Sequence, residues 1–96
     1  MLLNVLANTA CVIEEDTMYF GNDLNDGLND PKQYDAESCR SFCKSDYPSA
    51  KYFNWVGPHA PWTPGHNTCW CKYSDSGRRA ETGHTSGEVT CEDQGD

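Results

Sequence analysis

The clearest periodic pattern in the chain predicts one helix over residues 35–45, DAESCRSFCKS. Asp35 is a good N-cap because its carboxylate can accept a hydrogen bond from a backbone amide of the first turn. Cys39, Phe42 and Cys43 are spaced i, i+3 and i+4, which places them on one face of the helix. The helix therefore presents two cysteines on the same side.

Two further runs alternate with the period of a β-strand. They are residues 51–56, KYFNWV, and residues 68–73, TCWCKY. The second run places its two cysteines on one face and Trp70 and Lys72 on the other. An antiparallel pair joined by a long loop is the simplest arrangement, and disulfides between the helix and the second strand would dock the helix on the sheet.

The remaining segments predict shorter strands and loops. Residues 9–13 (TACVI) and 18–20 (MYF) predict a strand pair around an exposed turn at 14–16. Residues 74–86 are polar and predict a loop, and residues 87–91 (GEVTC) predict a last strand.

The segment at residues 21–31, GNDLNDGLNDP, is a predicted loop with some likeness to a calcium site. An EF-hand centred on Gly27 would need an acidic residue at position 24 and a glutamate at position 33. The chain has Leu24 and Gln33 there. We therefore predict no EF-hand and no metal site, with an irregular calcium site as the alternative.

Cysteine content determines the class of protein. The chain has 96 residues, of which 36% are hydrophobic. It is therefore one small domain whose hydrophobic core is small and needs covalent cross-links for stability. The C-x3-C and C-x-C spacings, with no histidine at ligand spacing beside them, favour disulfides over zinc. Disulfides persist in oxidising compartments, which predicts a secreted or surface-displayed protein. The predicted disulfide cysteines are Cys11, Cys39, Cys43, Cys69, Cys71 and Cys91.

The formal net charge of −8 argues against nucleic acid and anionic membranes as partners, since both need a basic face. No apolar run is long enough for membrane insertion. We assign residues 1–8 to a linker or added segment, residues 9–91 to the domain and residues 92–96 to a tail.

The order of four motifs resembles the PAN/apple domain family. The motifs are AESCRSFC at 36–43, KYFNW at 51–55, TCWCKY at 68–73 and SGEVTC at 86–91. The resemblance covers residues 11–91 and is closest to tandem apple domains of micronemal adhesins from apicomplexan (Eimeria-type) parasites. It implies an α+β fold in which one α-helix is docked by disulfides on a curved antiparallel β-sheet.

The resemblance also implies a disulfide pairing. The family joins its first and last cysteines, which implies Cys11–Cys91. It joins the first helix cysteine to the C of a C-W-L-K motif, which implies Cys39–Cys69.

The third bridge departs from the family pattern. Ala50 stands where the family usually has a cysteine, and Cys71 stands where it usually has leucine. In an antiparallel hairpin the start of the first strand lies beside the end of the second, so Cys43–Cys71 would replace the usual bridge. A nested pairing, in which the two helix cysteines exchange partners, remains the alternative.

Candidate ligand-binding residues lie in two polar segments. Trp62 stands between two prolines in the loop 57–67, flanked by His59 and His66. An exposed, stiffened tryptophan could anchor a protein partner or stack on a sugar ring. Arg78 and Arg79, as bidentate donors, could bind a carboxylate or a sialylated glycan. These two arginines complete the predicted ligand-binding set.

No recognised catalytic motif is present, and C-x-C is not the redox motif C-x-x-C, so we predict no enzyme and no cofactor. The resemblance implies an extracellular adhesion module that binds a host-surface protein or glycan and is itself monomeric. It would be secreted through micronemes and serve host-cell attachment. The alternative is a structural module that contacts neighbouring domains of a tandem array.

Overall fold

The computed structural model describes residues 11–90. These residues form a small α+β fold with one α-helix and a four-stranded antiparallel sheet. The elements are β1 (Ile13–Tyr19), α1 (Ala36–Asp46), β2 (Tyr52–Val56), β3 (Cys69–Lys72) and β4 (Arg78–Glu88). The strand order is β1-β4-β2-β3. Two 3₁₀ turns lie in the loops, at Gly27–Asn29 and Thr63–Gly65.

The predicted helix is confirmed, together with its cap. The Asp35 carboxylate accepts a hydrogen bond from the Ser38 amide at 2.7 Å. The helix ends at Asp46, one residue later than predicted, and the Tyr47 amide closes its last turn on the Cys43 carbonyl. Pro48 follows directly and lacks the amide hydrogen that a further turn would need.

Two disulfides dock α1 on β3. They are Cys39–Cys69, which the PAN/apple resemblance implies, and Cys43–Cys71, which was predicted from the geometry of the hairpin, so the nested alternative is wrong. All four cysteines are fully buried.

A third bridge involves the start of the described chain. Cys11 is disulfide-bonded, and Cys91, which the resemblance names as its partner, lies outside the described residues. The linker and tail segments at 1–8 and 92–96 lie outside them as well.

The main hydrophobic core lies between α1 and the sheet. Phe53 of β2 is opposite Cys71, and both are fully buried beneath the helix together with Val89. Trp55 stands two residues along the same face and donates from Nε1 to the Gln33 carbonyl at 2.7 Å. With so few large apolar side chains, the disulfides form a substantial part of this core.

The predicted turn at 14–16 is wrong, because one strand runs through it. Asp16 adopts a φ of 53° and causes a register shift between Glu15 and Thr17. Its carboxylate accepts a hydrogen bond from the Gly83 amide of β4 at 2.9 Å. This bond holds the bulged residue on the neighbouring strand, so β1 continues past it.

The predicted loop at 74–86 is also wrong over most of its length, because β4 begins at Arg78. This strand lies between β1 and β2. Its buried positions include His84 and Ser86, and Ser86 donates from Oγ to the Thr17 carbonyl at 2.9 Å. Polar side chains that are satisfied by hydrogen bonds can occupy an interior strand without a hydrophobic alternation.

Candidate functional site

A cavity lies on the face of the sheet that points away from the helix. Cys69 and Cys71 face the helix, so Trp70 and Lys72 face the opposite side. The cavity has a volume of about 260 Å³. Its walls come from β1, β2, β3, β4 and two loops. The lining residues are Met18, Phe20, Gly21, Asp23, Asn54, Val56, Trp62, Trp70, Lys72 and His84.

Aromatic side chains form much of the wall. The ring centroids of Trp62 and Trp70 are 6.3 Å apart, with an angle of 38° between their planes. Trp62 is 42% exposed and Phe20 is 54% exposed. Exposed aromatic groups gathered around a concavity are typical of binding sites.

Two glycines, Gly65 and Gly27, allow the indoles of Trp62 and Trp70 to pack directly against the backbone. A Cβ atom added to Gly65 would lie 2.3 Å from Cε3 of Trp62, and one added to Gly27 would lie 2.7 Å from Cε2 of Trp70. Both distances are far below van der Waals contact. The two 3₁₀ turns that contain these glycines therefore fix where the indole rings stand.

Lys72 is a buried charged group of the cavity and is only 3% exposed. Its ammonium forms an ion pair with Asp23 and donates to the Gly21 carbonyl at 2.9 Å. Nζ also lies 5.9 Å from the centroid of the Trp70 ring. Burial lowers the pKa of Lys72, and the Asp23 carboxylate opposes that shift.

The segment 22–25 holds Asp23 beside Lys72 by covering the outer edge of β3. The Leu24 amide donates to the Cys71 carbonyl at 2.8 Å, and the Cys71 amide donates to Oδ1 of Asn25 at 2.7 Å. The edge strand is thus paired along its length, and the carboxylate next to it is fixed in position.

Asn54 and His84 form the floor of the cavity and are almost fully buried. The Tyr19 amide donates to Oδ1 of Asn54 at 2.8 Å, and Nδ2 of Asn54 lies 3.1 Å from Nδ1 of His84. Burial lowers the pKa of His84. This chain of hydrogen bonds links β1, β2 and β4 beneath the cavity.

The structure separates the five ligand-binding residues expected from the sequence. Trp62 lines the cavity. Arg79 lies at its rim, with Cζ 4.4 Å from the centroid of the Phe20 ring. Nε2 of His66 lies 2.7 Å from the Ala60 carbonyl within its own loop, and His59 lines a separate groove.

Arg78 is held by Glu14, so its guanidinium is already engaged. Nε donates to both carboxylate oxygens at 2.9 Å. The Tyr19 hydroxyl adds a bond to the same carboxylate at 2.7 Å. The hydrogen bonds from Arg78, followed by that from Tyr19, lower the pKa of Glu14 to about 2.

We expect Glu14→Gln to flatten the acid limb of the stability profile. A depressed carboxyl pKa contributes stability that is present above about pH 4.3, the ordinary value, and is lost as the pH falls towards 2. Urea unfolding between pH 2 and pH 6 measures this slope, with Glu15→Gln on the same strand as the exposed control. An unchanged slope in Glu14→Gln would show that the ion pair with Arg78 adds no stability.

Sequence reasoning missed most of the cavity. The residues that it did not select include Asp23, Asn54, Lys72 and His84, which come from four separate segments. The one available signal was the alternation that puts Lys72 on the same strand face as Trp70, since a lysine on a largely apolar strand face needs a partner.

Within residues 11–90, the one group of metal-ligating side chains with ligand atoms close together is Cys39, Cys43 and Cys69, whose sulfurs are in disulfides. The helix of the described chain is too short and too polar to cross a membrane. No model of a known protein family matches the sequence, and a search of curated proteins found no similar one.

Proposed function

We propose that the chain is an extracellular binding module of the PAN/apple type and that its ligand is a neutral sugar ring held in the cavity. The observation that carries the proposal is the meeting of two indoles, the exposed Trp62 and the half-buried Trp70, with the ion pair of the buried Lys72 in one concavity. Buried disulfides on a lean core fit an oxidising, secreted environment. In the setting that the resemblance implies, the sugar belongs to a host-surface glycan bound by a micronemal adhesin.

The size and chemistry of the cavity favour a sugar over a protein as the ligand. Its volume of about 260 Å³ is slightly below the ~300–1,000 Å³ of cavities that hold drug-sized ligands. The apolar face of a sugar ring can pack on an indole, as Trp62 and Trp70 offer. The hydroxyl groups can bond to the few polar groups at the base, Lys72 and Asp23 among them.

The ion pair favours a neutral sugar over a sialylated or sulfated one. Asp23 already balances the ammonium of Lys72, so an anionic ligand would meet a carboxylate at the same place. Like charges in a partly desolvated site repel, so the site disfavours anionic sugars and accepts neutral ones. The free arginine fork that a sialylated ligand would need is absent at Arg78, which is bound to Glu14.

A glycan array that carries neutral and sialylated glycans tests the proposal. We expect binding to neutral glycans and a loss of at least about tenfold in affinity for Trp62→Ala, since anchoring aromatics contribute about 2 kcal/mol or more. Gly65→Ala should weaken binding too, because the added methyl displaces the Trp62 ring without removing it.

Tyr34→Ala is the matched control, because Tyr34 is 72% exposed and does not line the cavity. Equal binding by the wild type and Trp62→Ala would place the ligand elsewhere. Binding restricted to sialylated glycans would contradict the selectivity argued from Asp23.

One observation favours the alternative function, a structural module that contacts neighbouring domains of a tandem array. β1 is an edge strand of the sheet, and Val12 and Ile13 at its start are 49% and 41% exposed. A protein that binds no glycan but self-associates through this edge in sedimentation experiments would favour the assembly module.

A further inference from the structure

The orientation of the Asn54 amide follows from its neighbours. The Tyr19 backbone amide can only donate, so the Asn54 atom that faces it at 2.8 Å is the oxygen. The amide nitrogen of Asn54 therefore faces Nδ1 of His84 at 3.1 Å. All three residues are at most 4% exposed.

This orientation determines the protonation state of His84. Because the Asn54 nitrogen donates, Nδ1 of His84 must accept, and the neutral ring carries its hydrogen on Nε2. Protonating Nδ1 would set one donor against another. Rotating the Asn54 amide by 180° would restore that bond but would then oppose its nitrogen to the Tyr19 amide. Either way, one buried hydrogen bond is lost.

The other ring nitrogen is available to a ligand. The described residues contain no fully buried side-chain nitrogen or oxygen that lacks a hydrogen-bond partner. Nε2 of His84 donates to none of these residues. It therefore retains access to solvent, and the accessible surface of His84 belongs to the cavity that it lines. Nε2–H is thus a fixed donor at the cavity floor.

We propose that His84 is a ligand-binding residue that donates from Nε2 to a ligand oxygen, and that acid weakens binding by breaking the Tyr19–Asn54–His84 chain. The identity of the ligand rests on the proposed function, whereas the hydrogen-bond chain does not. Tyr19 lies between Met18 and Phe20, which both line the cavity, so loss of its bond to Asn54 loosens that wall.

Burial and the charged groups around His84 together set the direction of its pKa shift. Burial is the largest influence and lowers the pKa of His84. Lys72 on β3 and Arg79 on β4 lower it further, while Glu81 on β4 raises it. Asp23 faces Lys72 and balances its charge.

The sign of the pH effect follows from the lowered pKa of His84. The free energy that favours the neutral ring is fully present above about pH 6.5, the ordinary histidine value. It is lost as the pH falls from there through the lower pKa of the folded state. The cavity is therefore intact at neutral pH and is weakened in acid.

The first test needs no ligand. Nitrogen-15 NMR of the imidazoles at pH 7.5 should show the Nε2–H tautomer for His84. On acidification, the His84 ring should titrate below the ordinary histidine value of about 6.5, and the Tyr19 amide resonance should shift with the same midpoint. An Nδ1–H tautomer, or a Tyr19 amide that does not follow the His84 titration, would overturn the proposed role of the Tyr19–Asn54–His84 chain.

The second test measures binding of the methyl glycosides of glucose, mannose and galactose at pH 7.5 and at one pH unit below the His84 midpoint found by NMR. We expect the wild type and the control His59→Gln to lose at least about threefold in affinity at the lower pH. His84→Gln should bind about equally at both, because its side chain can accept from Asn54 and donate to the cavity without titrating.

The same acid-induced loss in His84→Gln would overturn the pH role of His84. Binding of no glycoside at any pH would overturn both its ligand contact and the sugar assignment. The tautomer measurement separates these cases, since it tests the Tyr19–Asn54–His84 hydrogen bonds without any ligand.

Discussion

The double variant Cys39→Ala/Cys69→Ala is expected to lose about 3–4 kcal/mol of its free energy of unfolding. This bridge spans 30 residues, and closing a loop of that length in the unfolded chain corresponds to about 3.6 kcal/mol in the chain-entropy estimate. Small domains are stable by only about 5–15 kcal/mol. The bridge therefore supplies a large share of the total, because the core above β3 contains few large apolar side chains.

Both cysteines must be replaced together. Sγ of Cys43 lies 3.6 Å from Sγ of Cys69, so a thiol left at Cys69 by Cys39→Ala could attack the neighbouring bridge and exchange with it. The single variant would then report a rearranged pairing rather than the loss of one bridge.

Urea unfolding followed by circular dichroism measures the loss. Ser41→Ala is the control on the same helix, because Ser41 is exposed and its replacement should change the stability by less than about 0.5 kcal/mol. A loss below about 1 kcal/mol in the double variant would show that helix docking depends on the apolar contacts and not on the bridge.

Local patterns identified the central part of the fold. The helix, its Asp35 cap and the alternation in residues 51–56 each depend on neighbours within a few positions, so the sequence displays them directly. β1 and β4 were misread for the opposite reason. Their course depends on partners far along the chain, such as Asp16 with the Gly83 amide, and no local pattern records these bonds.

The candidate site was predictable only where a residue stood out by itself. Trp62 was selected because it lies among prolines in a polar loop. Asp23, Lys72 and His84 are ordinary residues in their own segments, and they form a site because β4, β2 and β3 are adjacent in the sheet. That adjacency comes from long-range strand pairing, which composition and spacing do not encode.

Lys72→Met and Asp23→Asn are expected to separate binding from stability. Methionine can follow the course of the lysine stem, and the Asp23 side chain left behind is 38% exposed and can be hydrated. Replacing a buried ion with an apolar group of similar volume is often nearly neutral, so Lys72→Met should cost less than about 1.5 kcal/mol. It should nevertheless abolish measurable glycan binding, because the cavity loses its ammonium donor.

Asp23→Asn, unlike Lys72→Met, is expected to lower the free energy of unfolding substantially. It leaves the ammonium of Lys72 buried with the Gly21 carbonyl but without the carboxylate, and removing one partner of a buried pair costs about 3 kcal/mol. The cost falls on the charged form of Lys72, whose pKa burial already lowers. Raising the pH towards about 10 lets the folded state lose that proton first, so the variant should regain stability there.

Urea unfolding of both variants at pH 7 and pH 9.5, beside the exposed control Lys51→Met, measures these differences. A large loss in Lys72→Met would mean that the ion pair holds the segment 22–25 on β3 and that its effect on binding is indirect. A small loss in Asp23→Asn would mean that water reaches the ammonium, and the cavity would then lack the desolvated charge on which its discrimination against anionic sugars depends.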